Sequence, residues 1–342
     1  MFSLRLRNGR TITEGSQPYV TAEINTGHFG NMEMAVKAVH AAREAGCDCI
    51  KFQSWKPESL YTNKYLAEHR IERRIYERLS LDPGQLAELT QECNVQGIDF
   101  CSTPYSFSEI DDLVALETVP YIKIASMDIN NLEFLRYAAE TMVPLVLSTG
   151  MADMDEIRVA VSVILGAGGG ELAVLHCTSL YPTPDSELNL LNIRTLKEEF
   201  PGVIVGYSDH SLGLVAPAVA IGLGSVMLEK HFTLDKSKPG FDNAMALDPL
   251  ELASYVTNAH SAASMLGRSE RVVSEAEIAQ RQVMRRSVFA AAYLTSGTII
   301  TSDLIQVKRP GTGAPPTTVK DLIGKRLARD VAEGEPITLD DV

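Results

Sequence analysis

The feature of this sequence that most constrains its fold is a recurrence of short apolar runs separated by amphipathic stretches of helical length. Eight runs, each bounded by turn residues, are predicted strands: Tyr19–Ile24, Cys47–Gln53, Ile98–Ser102, Pro120–Ala125, Pro144–Thr149, Leu172–Thr178, Val203–Ser208 and Ser225–Glu229. The predicted helices between them include Asn31–Ala45, Asp82–Gln96, Asn131–Glu140, Met154–Leu165, Leu190–Glu199 and Leu214–Gly222. Eight strand-helix units in about 250 residues predict an α/β protein with a closed (β/α)8 TIM barrel.

An open, doubly wound sheet is the alternative fold. The glycines at 166, 168, 169 and 170 would be its candidate dinucleotide loop. They precede a predicted strand, whereas a phosphate-binding loop follows a strand and opens a helix. We therefore interpret them as the end of a helix and favour the barrel.

Two segments depart from the barrel rhythm. Residues 54–81 form a long charged and aromatic excursion after the second run, where barrel enzymes often keep a substrate-covering loop. We predict a barrel domain over residues 1–266, a polar helical linker over 267–286 and a small β-rich domain over 287–342. Within the last, Leu294–Ile305 repeats as Val331–Val342, matching Gly297 to Gly334, which predicts a pseudo-symmetric fold.

The charge balance limits the classes of partner. The 342 residues carry a formal net charge of −13, which disfavours nucleic acid and anionic membrane surfaces. An anionic ligand would need a local basic site. The five cysteines lack CxxC spacing, so we predict reduced core thiols, and no signal peptide or membrane span is evident. A cytoplasmic protein is expected.

Polar residues end the eight predicted strands, where a barrel places its active site. Lys51 lies between Ile50 and Phe52, and Lys123 lies between two isoleucines, so alternation points both lysines into the barrel. One explanation for the two inward lysines is that they form internal ion pairs with Glu23 or Glu229. A site for phosphate or another oxyanion fits two inward lysines beside Ser and Thr hydroxyls better.

Two histidines end consecutive predicted strands. His210 and His231 would lie about 5 Å apart in a parallel sheet, close enough to share one ligand. With Glu229, Asp209 and Asp242 nearby in sequence, they form a candidate divalent-metal centre with open positions. Mixed nitrogen and oxygen ligation suits several first-row metals.

Nine motifs together resemble one enzyme family. The segments AEINTGHFGN, KFQ, CSTPY, YIKIAS, LSTGM, HCTSLYPTP, GYSDHS, EKHFTLDKSKPGFD and VKRPGTG occur in the order found in the N-acetylneuraminate (sialic acid) synthase family, which includes legionaminate and pseudaminate synthases. The resemblance covers nearly the whole chain, including a C-terminal domain similar to type III antifreeze proteins (an antifreeze-like, or SAF, domain). Family members usually carry Asn where this chain has Gly27, and sialate-type members carry Asn at Ser179.

The resemblance implies a role for residues at matching positions. It implies a phosphoenolpyruvate site, metal ligands at His210 and His231, and catalytic polar groups at Glu23, Gln53 and Glu229. The phosphoenolpyruvate-binding set is Lys51, Thr103, Lys123, Ser126 and Ser208. The sugar-binding set is Tyr181, Asp242 and Arg309, the last inserted by one subunit of a domain-swapped homodimer into the barrel of its partner.

The implied reaction joins phosphoenolpyruvate, water and an N-acylated hexosamine to give a nonulosonic acid and phosphate. The sugar would be N-acetylmannosamine or a 2,4-diacetamido-trideoxyhexose, and the metal Mn²⁺, with Mg²⁺ or Co²⁺ as alternatives. Glu23 or Glu229 would act as base. A phosphoenolpyruvate aldol condensation of the 3-deoxy-octulosonate-phosphate type is a second hypothesis. Ice or carbohydrate binding by the C-terminal domain is a third.

Overall fold

The chain forms two compact units, Met1–Gly267 and Arg268–Val342. The structure is a computed structural model and describes residues 2–238, 240, 242–243 and 245–342. The segment predicted as a linker, 267–286, falls almost entirely in the second unit. It contains a helix whose first turn is capped by the Ser274 side chain.

The first unit contains an eight-stranded parallel sheet, after a short hairpin of β1 (Ser3–Arg5) and β2 (Thr11–Thr13). The eight strands are β3 (Tyr19–Glu23), β4 (Cys49–Ser54), β5 (Asp99–Pro104), β6 (Ile122–Ile124), β7 (Leu145–Ser148), β8 (Leu172–Cys177), β9 (Ile204–Asp209) and β10 (Met227–His231). Their order in the sheet is β5-β4-β3-β10-β9-β8-β7-β6. Apart from β5 and β6, strands that are consecutive in sequence are therefore paired, and the last strand, β10, pairs with the first, β3, as a barrel requires.

The two strands at the ends of this order close the barrel through side chains. Among the described residues, no backbone ladder joins β5 to β6. Cys101 Sγ of β5 instead donates a hydrogen bond to the carbonyl of Tyr121, directly before β6, at 3.3 Å. Together with the sheet order, this confirms the predicted (β/α)8 barrel.

Helices cover the outside of the barrel. The helices are α1 (Met32–Glu44), α2 (Pro57–Leu60), α3 (Asn63–Glu68), α4 (Arg70–Leu79), α5 (Pro83–Gln96), α6 (Phe107–Ala115), α7 (Leu132–Glu140), α8 (Met154–Gly166), α9 (Asn192–Glu199), α10 (Ala216–Gly222) and α11 (Pro249–Leu266). Several of them begin with an Asp, Asn or Ser at the N-cap position. Asp82, for example, caps α5 by accepting a hydrogen bond from Gln85 N–H at 2.9 Å. Within the described residues, no helix has the length and apolarity needed to cross a bilayer.

The excursion at 54–81 is helical and not a loop. Helices α2, α3 and α4 fill it, and Thr62 caps α3 by accepting a hydrogen bond from Tyr65 N–H at 3.2 Å. Leu66 and Tyr76 are the buried anchors of α3 and α4. The charged side chains of α4 lie on its solvent face, which explains why the segment reads as polar in the sequence.

The amino-terminal hairpin was not predicted from the sequence. Asn8 and Gly9 form its turn, with Leu6 N–H bonded to the carbonyl of Arg10 at 2.8 Å and Gly9 at φ 86°. Leu4, Leu6 and Ile12 pack in one cluster with Tyr19 and other residues from the barrel strands. The hairpin therefore seals the amino-terminal end of the barrel and leaves the carboxyl end for ligands.

A buried ion pair joins the ends of β9 and β10. Lys230 Nζ lies 3.2 Å from Asp209 Oδ1, and both side chains are fully buried. The same ammonium donates to the carbonyl of Ser211 at 2.5 Å. Because side chains alternate along a strand, this pair faces the helices and the next residues, His210 and His231, face the barrel interior.

The second unit begins with α12 (Glu275–Met284) and contains the antiparallel strands β11 (Ser287–Ala290) and β12 (Ile305–Lys308) and the short helix α13 (Val319–Leu322). The two sequence repeats meet at their first residues, because Leu294 and Val331 exchange both backbone hydrogen bonds, at 2.9 and 2.8 Å. The matched Gly297 and Gly334 both take left-handed conformations, at φ 81° and 77°. This agrees with the predicted small, pseudo-symmetric β-rich fold.

Candidate active site

A cavity of about 320 Å³ opens at the carboxyl ends of the barrel strands. Twelve of the barrel residues that the sequence selected lie on its wall; Asp209, considered for the metal centre, does not, because it faces the helices and pairs with Lys230. The twelve are Glu23, Lys51, Gln53, Thr103, Lys123, Ser126, Tyr181, Ser208, His210, Glu229, His231 and Asp242. These residues come from strands and loops spread around the barrel, so the closed sheet brings together groups that lie far apart in the sequence.

The two predicted inward lysines are buried and face this cavity. Lys51 and Lys123 are each 3% exposed, whereas Ile50, Phe52 and the isoleucines flanking Lys123 belong to the apolar layer of the barrel's main hydrophobic core. Lys51 Nζ donates to Thr103 Oγ1 at 3.0 Å, and Lys123 Nζ donates to Ser148 Oγ at 2.8 Å. Both ammonium groups therefore sit beside hydroxyls.

Two glutamates complete a compact cluster of charges. Lys51 forms an ion pair with Glu23, and Lys51 and Lys123 each lie 3.7 Å from Glu229 Oε1. The internal ion pairs considered in the sequence analysis are therefore present, and the lysines that form them also line the cavity. When all four groups are ionised, their formal charges cancel.

The cluster separates the pKa values of its two carboxyl groups. Burial raises the pKa of Glu23, and the pull of Lys51 does not fully offset it. Burial acts on Glu229 in the same direction, but Lys123, Lys51 and His210 outweigh it and hold the pKa of Glu229 below its ordinary value. Burial lowers the pKa of Lys123. A pair of carboxyl groups pushed apart in this way is a common arrangement for acid–base chemistry.

The histidine pair lies beside the charge cluster. The ring centroids of His210 and His231 are 5.2 Å apart, and the ring of Tyr181 lies 4.2 Å from that of His210. His210 Nδ1 lies 2.8 Å from the carbonyl of Thr178, so Nδ1 carries a proton, and Nε2 offers a lone pair when the ring is neutral. His231 Nδ1 lies 3.5 Å from Asp242 Oδ2.

The two histidines are the candidate donors for a divalent metal with open positions. Among the described residues, no group of three or more His, Cys, Asp or Glu side chains is placed to hold a metal ion. In both imidazoles, Nδ1 lies near an oxygen atom of the protein. The two Nε2 atoms could still hold an ion whose other positions are taken by water or substrate oxygens. Burial and the neighbouring His210 lower the pKa of His231 well below its ordinary value, which keeps its imidazole neutral and able to coordinate.

Some cavity residues were not selected from the sequence. Tyr105 lies on the wall, and its hydroxyl donates to Gln53 Oε1 at 3.1 Å. Alternation could have found it, because Cys101, Thr103 and Tyr105 are two residues apart. Cys177, predicted as a core thiol, is free and buried like the other four cysteines, yet it also lines the cavity. No sequence signal separated it from the rest.

Arg309 lies in the second unit, in the segment that follows β12. Its side chain is exposed. The backbone around it is held within that unit, because Pro310 O accepts from Ser287 Oγ at 2.6 Å and Gly311 N–H donates to the carbonyl of Gln282 at 2.8 Å. The arginine is therefore presented on an ordered loop.

Comparisons with known proteins agree with the geometry. Residues 38–271 match the NeuB family model, and residues 285–342 match that of the SAF domain. The chain is 35% identical to the N,N'-diacetyllegionaminic acid synthase of Legionella pneumophila, over 92% of each chain. It is 33% identical to a pseudaminic acid synthase of Campylobacter jejuni, over 93% of this chain and 95% of that protein.

A solved structure is also similar to this chain. The N-acetylneuraminic acid synthetase of Leptospira borgpetersenii, crystallised with citrate, superposes with a TM-score of 0.75 at 28% identity. The match covers 81% of this chain and 94% of that one.

Proposed function

The chain belongs to the NeuB family, and from this membership we infer that it condenses phosphoenolpyruvate with an N-acylated amino sugar and water, releasing a nonulosonic acid and phosphate. The reaction is a transferase reaction. The single observation that carries the inference is the cavity, in which two buried lysines, their hydroxyl partners and a histidine pair meet at the carboxyl end of the barrel.

The lysines and hydroxyls are proposed to hold phosphoenolpyruvate. Lys51 and Lys123 are the only lysines or arginines among the described residues that line the cavity. Their charges are balanced by Glu23 and Glu229, so neutral donors must contribute to binding a multiply charged anion. Thr103, which lies beside the Lys51 ammonium, and Ser126 and Ser208 on the same cavity wall supply such donors.

The histidines are proposed to hold the divalent metal, with Mn²⁺ preferred and Mg²⁺ or Co²⁺ as alternatives. When bound there, the ion would supply Lewis-acid polarisation of the sugar aldehyde. Tyr181 and Asp242, which lie against the histidine rings, are proposed to orient the sugar. The aldehyde carbon would then face C3 of phosphoenolpyruvate.

These positions indicate which bonds form and which break in the reaction. C3 of phosphoenolpyruvate forms a bond to C1 of the sugar, and the aldehyde oxygen takes up a proton to become a hydroxyl. The oxygen of water adds at C2, and the C2–O bond to phosphate then breaks as the new C2 hydroxyl loses its proton to the departing phosphate and becomes the keto group. Glu23 is proposed to accept the proton of that water, because its raised pKa brings it closer to the working pH than Glu229. Gln53 is hydrogen-bonded to Glu23 at 3.2 Å and holds it in place.

The proposed sugar carries acyl groups and no phosphate. A phosphosugar would need a further cation, and Lys51 and Lys123 already serve phosphoenolpyruvate. A relative named for a diacetylated product, at 35% identity, supports a 2,4-diacetamido-trideoxyhexose over N-acetylmannosamine. A cytoplasmic location is proposed as well, since the five cysteines are free and phosphoenolpyruvate is an intracellular metabolite.

Phosphate release from phosphoenolpyruvate across a panel of sugars tests this function. We expect release with 2,4-diacetamido-trideoxyhexoses, weaker release with N-acetylmannosamine and little with its 6-phosphate. A preference for the 6-phosphate would contradict the substrate proposal. Release with arabinose 5-phosphate alone would instead favour the octulosonate-type reaction, and no release with any sugar would favour a binding protein.

Metal removal gives a separate prediction. Chelation of the purified protein should lower turnover by at least about 100-fold, and Mn²⁺ or Co²⁺ should restore it. His231→Ala should lose bound metal, measured by elemental analysis, while the control His40→Ala, on the exposed face of α1, should retain it. Full turnover by the metal-free protein would remove the ion from the proposal.

A further inference from the structure

Tyr105 is held firmly in the loop that follows β5. Its backbone N–H donates to Glu109 Oε2 at 2.7 Å. Glu109 is 3% exposed, and its other oxygen accepts from Lys56 N–H at 3.1 Å. The carboxylate therefore ties the loops after β4 and β5 together and fixes the direction of the Tyr105 side chain.

The hydroxyl of Tyr105 begins a chain of hydrogen bonds that ends at Glu23. Tyr105 Oη donates to Gln53 Oε1 at 3.1 Å, and Gln53 Nε2 donates to Glu23 Oε1 at 3.2 Å. The same Glu23 oxygen accepts from Asn25 N–H at 2.7 Å. Asn25 reaches back in this way because its backbone is left-handed, at φ 44°. Glu23 Oε1 thus accepts two hydrogen bonds.

The order of donors along this chain follows from the chemistry of the groups. A phenol has one proton to donate, and burial keeps that proton in place by raising the pKa of Tyr105. A primary amide has an acceptor on one side and donors on the other. Turning the amide of Gln53 over would place its N–H group against the phenol and leave the Tyr105 proton without this acceptor.

The second oxygen of Glu23 has a different environment. Glu23 Oε2 is buried and has no hydrogen bond that meets normal geometry, although it lies in the ion pair with Lys51. The other charged group that acts on Glu23 is Glu229 of β10. Oε2 therefore faces the Lys51 ammonium, while Oε1 is held by the Gln53 side chain and the Asn25 backbone.

We propose that Tyr105 is a positioning residue that fixes the amide of Gln53, so that Glu23 Oε1 is held as a hydrogen-bond acceptor and the carboxylate is kept in one orientation, with Oε2 toward Lys51. This inference rests on the proposed function, in which Glu23 accepts the proton of water. It assigns a role to a residue whose hydroxyl acts on another side chain and not on the substrate.

The alternative is that Tyr105 touches substrate, since it also lines the cavity. A double-mutant cycle with Gln53 separates the two roles. Tyr105→Phe removes one oxygen and keeps the ring on the cavity wall. Tyr137→Phe is the matched control, because it removes a tyrosine hydroxyl bonded to Asp111 at 2.7 Å on the barrel exterior.

We expect Tyr105→Phe to lower kcat by about threefold to tenfold, the effect of one lost hydrogen bond, with both KM values changed by less than about twofold. In a Gln53→Leu background, the same substitution should have no further effect. Tyr137→Phe should behave as the unaltered protein. An effect of Tyr105→Phe that persists without Gln53, or that falls on KM, would overturn the positioning role.

A spectroscopic measurement makes the test independent of turnover. In protein labelled with ¹⁵N-glutamine, the Gln53 side-chain amide is the signal that disappears in Gln53→Leu. Tyr105→Phe should shift this signal and speed its exchange with solvent, and Tyr137→Phe should not. An unchanged Gln53 signal would overturn the hydrogen-bond chain. If no sugar supports turnover but the signal moves as expected, the proposed function fails and the chain stands.

Discussion

Replacing Lys51 or Lys123 by alanine will weaken phosphoenolpyruvate binding by roughly 30-fold to 5,000-fold. The estimate follows from the loss of a buried charged hydrogen-bond partner, which costs about 2–5 kcal/mol. Both ammonium groups line the cavity and lie beside the hydroxyls of Thr103 and Ser148. Isothermal titration calorimetry with phosphoenolpyruvate and Mn²⁺ measures the effect directly.

Lys230 provides the matched control. It is a third buried lysine, on β10, but it faces the helices and pairs with Asp209. Lys230→Met should lower the free energy of unfolding, because it leaves a buried carboxylate unpaired, and should leave phosphoenolpyruvate affinity nearly unchanged. If Lys51→Ala and Lys123→Ala affect only stability, as Lys230→Met does, the cavity lysines are structural ion pairs.

Two inactive variants will together restore activity if each active site takes Arg309 from its partner subunit. We propose a homodimer in which the exposed Arg309 loop of one chain completes the barrel of the other. Arg309→Ala and His231→Ala homodimers should each be nearly inactive. A heterodimer of the two would contain one site with neither lesion and one site with both, so it should show about half the turnover of the unaltered dimer.

Co-expression with two different affinity tags yields the heterodimer in pure form. Arg326→Ala, an exposed arginine elsewhere in the same unit, is the control and should remain active as a homodimer. If Arg309 served its own chain, every site in the heterodimer would carry one lesion. An inactive, verified heterodimer would therefore contradict the swapped arrangement.

The architecture of the barrel could be predicted because strand burial leaves a direct trace in the sequence. The run Leu172–Thr178, for example, begins with four consecutive apolar residues, since both faces of a barrel strand are covered. The ends of strands were less certain, because burial and pairing are different properties. Cys47 is buried but precedes β4, which begins at Cys49.

Most residues of the cavity and the ion-pair partners of its lysines could be predicted, but the distances between their groups could not. Alternation placed Lys51 and Lys123 inside the barrel, and the structure adds that Glu229 lies 3.7 Å from both. Such distances depend on how the sheet closes, and adjacent positions in the sequence do not encode them. Tyr105 shows the same limit, since its importance rests on a contact with Gln53 from another strand.

The most direct test of the central claim follows the bridging oxygen of phosphoenolpyruvate. The proposed condensation breaks the C2–O bond, so phosphoenolpyruvate carrying ¹⁸O at that position should deliver the label to inorganic phosphate, and only when the amino sugar is present. Mass spectrometry of the phosphate and of the nonulosonic acid measures where the label goes. Label retained in the organic product, or phosphate released equally well without sugar, would contradict the account.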